Sequence, residues 1–176
     1  MLIGHVLIKT AAAISFLCIA LIASQAAGES FEVRMVHANN DAIVSSKAPG
    51  ADLGNYEKWF WKQRNKNEEL WVSKKVEIDI HDFKVAKTTI PNSPFLPMVD
   101  IALTENGRKK LTELSSRNLK RRVAVFLDGK LLVVPIIIEP LTIGILRISG
   151  DFDRAEIQNI TDRINVLISE ARVHGH

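Results

Sequence analysis

The stretch that decides the fold is residues 123–134, which read VAVFLDGKLLVV. Two apolar runs of strand length flank Asp128-Gly129, the strongest short signal for a two-residue β-hairpin. A type I′ turn needs positive φ at both central positions, and this dipeptide supplies it. Pairing across such a turn sets Phe126 opposite Leu131. The stretch therefore predicts an antiparallel β-hairpin.

Alternation of side chains along the hairpin divides it into two faces. An unbroken register puts Val125 opposite Leu132 and leaves Arg122 on the other face, which marks that other face as the solvent side. We expect its apolar residues to form an exposed patch that binds polypeptide; they are Phe126, Leu131 and Val133. The alternative is that the N-terminal β-rich region folds over them.

Helix signals lie on both sides of the hairpin. Alternation predicts a strand over residues 99–103, and Thr104 is a good N-cap for a helix that follows over 105–118. Asp153 and Glu156 have the spacing of a capping box for a last helix. That helix carries a continuous apolar face at Ile157, Ile160, Ile164, Leu167 and Ile168.

These elements predict an α+β fold in which two main helices cover one face of a mostly antiparallel sheet. The order is β-α-β-β-β-α over residues 98–176, and the return strand of the hairpin is expected over 130–138. A β-rich part of the same domain over 27–97 precedes it, with short strands expected over 70–73 and 76–80 and one helical turn over 82–87. At about 100–200 residues per domain, a chain of 176 residues forms one domain.

Residues 1–26 read as a secretory signal peptide. Lys9 precedes an apolar run over residues 11–22, and small residues stand at Ser24 and Ala26 for a signal peptidase. The expected location is the periplasm, and the alternative is an uncleaved N-terminal membrane anchor.

Composition excludes several classes of function. The net charge of +3 is too small to indicate a nucleic-acid partner, and nucleic acid is improbable for an exported chain. Cys18 is the only cysteine, so a disulfide scaffold, a cysteine zinc site and thiol catalysis are excluded for the mature chain. No catalytic motif or cofactor signature is present, and we expect neither enzymatic activity nor a cofactor.

Glu77, Asp79 and His81 alternate with apolar residues and share one face of a predicted strand. Two carboxylates and an imidazole are ligands for a divalent metal ion, which would suit a metal-dependent enzyme. The favoured interpretation is the polar side of a half-buried strand, without a metal.

Residues 108–122 carry seven basic side chains against the single acid Glu113. Such a surface suits anionic headgroups or an acidic protein partner, and the alternative is a solvated helix face. The residues assigned to this basic surface are Arg108, Lys109, Arg117, Lys120 and Arg121.

Five aromatic residues fall within residues 56–71. Large rigid side chains of this kind grip extended polypeptide when they are exposed, and Trp59 and Trp61 are therefore candidate binding residues. The favoured interpretation is a cross-strand cluster that completes a core.

A longer pattern around the hairpin resembles a known family. Without a gap from Val123 to Phe152, the spacing is similar to that of SecD and SecDF preprotein translocase subunits, in the head part of their first large periplasmic domain. The resemblance is carried by Val125-Phe126-Leu127-Asp128-Gly129-Lys130, Pro135, Glu139-Pro140, Thr142, Gly144 and Ile148-Ser149-Gly150-Asp151-Phe152, with weaker matches at Thr104-Glu105-Asn106-Gly107 and Asp82-Phe83-Lys84.

This resemblance implies a non-enzymatic periplasmic module whose partner is translocating or unfolded polypeptide, or a Sec or other envelope protein. The family's six-helix membrane bundle has no counterpart in these residues, so the expected function is that of the module alone. Ile143 departs from the family, which usually has a second glycine there. The alternative is a structural subunit that docks on an envelope complex, or peripherally on a membrane, through the basic helix.

We expect export with removal of the first 26 residues, because the charged start, apolar run and small residues fit signal peptidase. The mass of the protein in the periplasmic fraction measures this, and the expected product begins at Ala27. Recovery of a chain that still begins at Met1 in washed membranes would indicate the anchor instead.

Overall fold

The computed structural model describes residues 29–45, 52–63, 66–91 and 96–174. The predicted signal peptide over residues 1–26 lies outside these residues. In chain order the elements are β1 Phe31–Val36, α1 Asn40–Val44, β2 Tyr56–Gln63, β3 Lys66–Ile78, a 3₁₀ turn Ile80–Asp82, β4 Phe83–Thr89, β5 Met98–Leu103, α2 Glu105–Arg117, β6 Val123–Leu127, β7 Lys130–Val133, β8 Ile145–Ser149 and α3 Arg154–His174. No helix in the described ranges combines the length and apolar character needed to cross a bilayer.

The strands form two antiparallel sheets, and the predicted α+β class is confirmed. One sheet has five strands in the order β2-β3-β1-β6-β7, and the other has three in the order β4-β5-β8. β1 lies between β3 and β6, so the N-terminal region and the hairpin share one sheet. The expectation of a single sheet is therefore replaced by two.

The main core lies where the five-stranded sheet, the three-stranded sheet and the two long helices meet. All five residues of the predicted apolar face of α3 are buried there. Both predicted caps are present, since Thr104 Oγ1 accepts a hydrogen bond from Gly107 N at 3.0 Å and Glu156 N donates to Asp153 Oδ1 at 2.8 Å. These local signals start both helices at the predicted places.

The hairpin keeps its predicted turn but changes register one step beyond it. Asp128 and Gly129 have φ of 49° and 69°, and Phe126 pairs with Leu131. A bulge then sets Val125 opposite Val133 instead of Leu132. One extra residue in a strand moves the following side chains to the other face, so Val133 points into the main core.

Three further expectations from the sequence are wrong. The helical turn expected over residues 82–87 is the strand β4, and the two short strands expected between 70 and 80 are the single long strand β3. The return strand expected over 130–138 ends at Val133, two residues before a proline that lacks a backbone donor.

Asp82 joins the two sheets to α2. Its side chain is 1% exposed and accepts hydrogen bonds from Lys110 Nζ at 2.7 Å and Asn106 Nδ2 at 3.0 Å. Its backbone oxygen accepts from Thr104 N at 2.8 Å. Gly107 lies against this residue so closely that a Cβ there would be 2.2 Å from the Asp82 oxygen. The Thr-Glu-Asn-Gly motif therefore builds the joint between the first long helix and the turn before β4.

Substitution Gly107→Ala tests this joint. Alanine normally favours a helix over glycine by about 1 kcal/mol, but here the added methyl clashes with fixed backbone, and we expect a net loss of about 2 kcal/mol. Thermal melts measure it. The matched control is Gly54→Ala, whose Cβ would only approach the Asp52 carboxylate at 3.3 Å; equal stability of the two variants would contradict the close approach.

Candidate functional site

The outer face of the five-stranded sheet is closed by its own aromatic side chains. Trp59 packs edge-on against Phe126 with ring centroids 4.7 Å apart, and Trp61 lies beside it over the same cluster. The residues beneath are buried: Val36, Leu70, Val72, Ala124, Phe126 and Val134. Both tryptophans and Leu131 are half-buried around them.

Two arginines border this aromatic cover. Arg34 lies over the Phe126 ring at 5.2 Å from its centroid, and its guanidinium bonds Glu32 and Glu57, the latter at 2.6 Å. Arg122 forms a bidentate pair with Glu68, one bond of which is 3.0 Å long. Charge-assisted pairs of this geometry fix side chains firmly, so polar as well as apolar contacts hold the side chains that cover this face in place.

The prediction that the apolar residues of the hairpin form an exposed patch is therefore wrong. Phe126 is 2% and Val133 is 9% exposed, and Leu131 is half-buried. β2 and β3 cover Phe126 and Leu131, as the alternative interpretation expected, whereas the bulge turns Val133 into the main core. Phe126 and Val133 therefore offer almost no side-chain surface to a ligand.

The basic surface carries less free charge than its sequence suggests. Arg108 pairs with Glu105 at 2.8 Å and Arg117 with Glu113 at 2.5 Å. Arg121 turns inward, where it donates to the Asn118 side chain and to the Val36 carbonyl. Lys109, Arg117 and Lys120 are the exposed members of the set, with Lys109 Nζ 3.9 Å from Glu105.

The predicted single strand face at Glu77, Asp79 and His81 is wrong, because β3 ends at Ile78 and Asp79 begins the 3₁₀ turn. Asp79 caps the 3₁₀ turn by accepting from His81 N at 2.9 Å, and Glu77 accepts from Lys75 Nζ at 2.7 Å. The described part of the chain contains no group of three His, Cys, Asp or Glu residues suited to hold a metal ion.

Three exposed apolar side chains lie instead on the segment that links β7 to β8. Ile136, Ile138 and Ile143 are 57%, 82% and 77% exposed, and we call these three residues the isoleucine rim. Hydrogen bonds fix the backbone between the rim residues, because Ile137 N donates to Arg121 O at 2.9 Å and Leu141 N donates to Ser115 Oγ at 2.8 Å. The rim is therefore held outward by a fixed backbone.

An apolar groove of about 360 Å³ runs along the rim. α2 forms one wall through Leu111, Leu114 and Ser115, and the rim with the start of β8 forms the other. The groove floor includes Val33 and Val123 from the five-stranded sheet. Its shape and apolar lining are those of a site for apolar side chains.

One ion pair borders the groove at β8. Arg147 lines the groove and donates two hydrogen bonds to Asp100, at 2.6 and 2.9 Å. These hydrogen bonds hold the pKa of Asp100 below its ordinary value. The ion pair gives this end of the groove a polar border.

Sequence reasoning missed this surface because it treated residues 130–138 as one strand. The signal was present: three consecutive isoleucines at 136–138 lie between Pro135 and Pro140. Proline lacks a backbone donor and interrupts regular strand pairing. Beyond Pro135 the structure keeps an isolated bridge between Arg122 and Ile136, whereas Ile138 lies outside any strand.

With the geometry in place, comparison with known proteins identifies the family. The sequence model described as SecDF, P1 head subdomain, matches residues 57–165. The match covers more than half of the chain. This chain belongs to the SecDF P1 head subdomain family.

Protein translocase subunits are among its curated relatives. The SecD subunit of Acidaminococcus fermentans is 37% identical over 79 residues, which is 45% of this chain and 19% of the relative. The SecDF subunit of Brucella abortus is 29% identical over 80 residues, or 46% of this chain and 11% of the relative. The chain thus spans a fifth or less of the length of these two SecD and SecDF proteins.

Solved SecDF structures share the fold. One, of SecDF in a super-membrane-facing form, aligns with a TM-score of 0.55 at 18% identity, covering 80% of this chain and 19% of that one. Another, of a membrane component SecDF that enhances protein export, aligns at 0.51 and 18% identity, covering 80% and 61%. The two-sheet α+β architecture is therefore that of SecDF.

Two single substitutions separate the buried residue from the exposed one. Val133→Asp places a carboxylate in the main core, and we expect at least about 3 kcal/mol of destabilisation. Ile138→Asp lies in solvent and should change stability by no more than about 0.5 kcal/mol. Urea unfolding followed by circular dichroism measures both. A stable Val133→Asp protein would contradict the bulged register.

Proposed function

We propose that this chain is an extracytoplasmic module linked to protein export that binds unfolded polypeptide in the groove beside the isoleucine rim. Membership of the SecDF P1 head family supports the link to export and the periplasmic location. The relatives' role as translocase subunits supports polypeptide as the ligand. The partner class is the one expected from the sequence, but the surface is different.

The observation that carries the proposal is the exposure of the rim. Three large apolar side chains on a fixed backbone, next to an apolar groove, bury surface only when another molecule covers them. Burial of apolar surface contributes about 25 cal/mol per Å². An extended polypeptide, whose side chains alternate every 3.2–3.4 Å along a strand, places apolar groups into such a groove without needing a fixed sequence.

Docking through the basic surface has less structural support. Arg108 and Arg117 are each matched by a glutamate on the same helix, and Arg121 is committed to contacts within the chain. Exposed ion pairs of this kind leave little net field for an acidic partner or an anionic membrane. Binding at the rim is apolar, and its affinity should therefore respond weakly to salt.

Binding of fluorescently labelled, reduced and carboxymethylated α-lactalbumin tests the proposal, because this probe stays unfolded. Ile138→Asp combined with Ile143→Asp should weaken binding at least tenfold, which corresponds to about 1.4 kcal/mol. Fluorescence anisotropy measures the affinity, with a thermal melt to show that the double variant stays folded.

The matched control is Val173→Asp, which adds a carboxylate at a 74% exposed apolar position in the last turn of α3. It should bind like the unchanged protein. A second control, Lys109→Glu with Lys120→Glu, should change the affinity by no more than about twofold. Loss of binding in this charge variant, but not in the rim variant, would assign the site to the basic surface and overturn the proposal.

A further inference from the structure

β2 is the terminal strand of the five-stranded sheet, and one of its edges is free. All eight residues of β2 pair with β3 on the inner side, from Tyr56 opposite Ser73 to Gln63 opposite Lys66. No strand among the described residues pairs with its outer side. A strand of this length leaves alternate backbone donors and acceptors along the outer edge.

The same fold protects another of its edges. At β4, the Asn165 side chain of α3 accepts from Ala86 N at 2.9 Å and donates to Ala86 O at 3.0 Å, in the way a neighbouring strand would. Arg172 donates to the Lys84 carbonyl at 2.6 Å. The remaining terminal strands, β7 and β8, have only four and five residues. β2 is thus the longest open edge in the described part of the chain.

Of the two lysines on β2, the one nearer the middle, Lys58, is turned back over the sheet, and Lys62 lies one residue from the end of the strand. Lys58 Nζ lies 2.9 Å from Glu69 and 5.3 Å from the centre of the Trp71 ring, both on β3. Charged side chains on an edge strand block pairing when they project across it. With Lys58 held inward, the middle of the edge stays accessible.

Both faces beside this edge carry aromatic side chains. Phe60 is 72% exposed on one face, and the half-buried Trp59 and Trp61 lie on the other. A strand added next to β2 would cover Phe60 with one set of side chains and extend the tryptophan cover with the other.

We propose that the outer edge of β2 accepts an extended polypeptide segment as an additional strand. The inference rests on the proposed polypeptide binding and adds a second contact surface, remote in sequence from the isoleucine rim. Backbone hydrogen bonds supply the attachment, and Phe60, Trp59 and Trp61 favour segments with apolar side chains at alternate positions. Main-chain bonding suits a module that meets many unrelated sequences, because every polypeptide presents the same backbone.

A peptide that copies residues 66–73, KNEELWVS, is a suitable probe because β2 already pairs with this sequence on its inner side. With saturating peptide, alternate backbone amides of residues 56–63 should exchange with deuterium at least about tenfold more slowly. Amides of β3 should be unchanged. Faster exchange in β3 would mean that the peptide displaces that strand, which would overturn the proposal.

N-methylation of the peptide distinguishes strand addition from side-chain binding. One version is methylated at alternate residues, and a second is methylated at the residues between. Only one edge of an added strand bonds to β2, so one version should lose protection of the β2 amides and the other should keep it. Equal behaviour of the two versions would overturn the proposal.

Phe60→Asp should remove the protection while the protein stays folded, and Val173→Asp, at similar exposure, should leave it intact. Ile138→Asp should also leave the protection of the β2 amides intact. Binding at the β2 edge and binding in the groove beside the isoleucine rim can therefore fail independently. Sedimentation velocity of the chain alone should show a monomer. A dimer with slowed exchange in β2 would show that a second copy occupies the edge and would overturn the proposal.

Discussion

The buried contact between Asp82 and Lys110 is the constraint on which the arrangement of this molecule depends. A carboxylate that is 1% exposed needs its partners, and it finds them on α2 while its own backbone accepts from Thr104. Because the Lys110 side chain is 41% exposed, its loss should cost less than the roughly 3–5 kcal/mol typical of a fully buried pair. Because Asp82 stands between β3 and β4, the contact sets both sheets against the helix. The same contact therefore fixes the position of α2, which forms one wall of the groove.

Local signals in the sequence predicted local structure well. The caps at Thr104 and Asp153, the turn at Asp128-Gly129 and the apolar face of α3 were all predictable, because each depends on contacts within a few residues. The bulge after Phe126 and the insertion of β1 between β3 and β6 were not, since register and strand order depend on residues far apart in the chain. That one-residue shift buries Val133, and the N-terminal strands bury Phe126, so the patch predicted on the hairpin is not exposed.

Long-range strand pairing also explains why the apolar cluster around Phe126 is covered and the isoleucine rim is exposed. Around Phe126, apolar residues come from all five strands of the larger sheet, and tryptophans and ion pairs lie over the buried ones. Around Ile138 the chain belongs to no strand, so neighbouring residues supply no cover. The prolines at 135 and 140 interrupt regular pairing, and the segment is held by an isolated bridge between Arg122 and Ile136 and by hydrogen bonds to β6, to α2 and to the turn after α2. The amount of apolar surface matters less than whether a regular element is available to cover it.

The central position of β1 has a consequence for the order in which the chain can fold. On one side, β1 (residues 31–36) pairs with β6 (residues 123–127), which lies about ninety positions later in the chain. Loop closure over such a distance is entropically costly, and non-local pairing slows folding. The middle strand of the larger sheet thus has no neighbour on that side until most of the polypeptide is available. The five-stranded sheet can therefore close only after synthesis has passed residue 127.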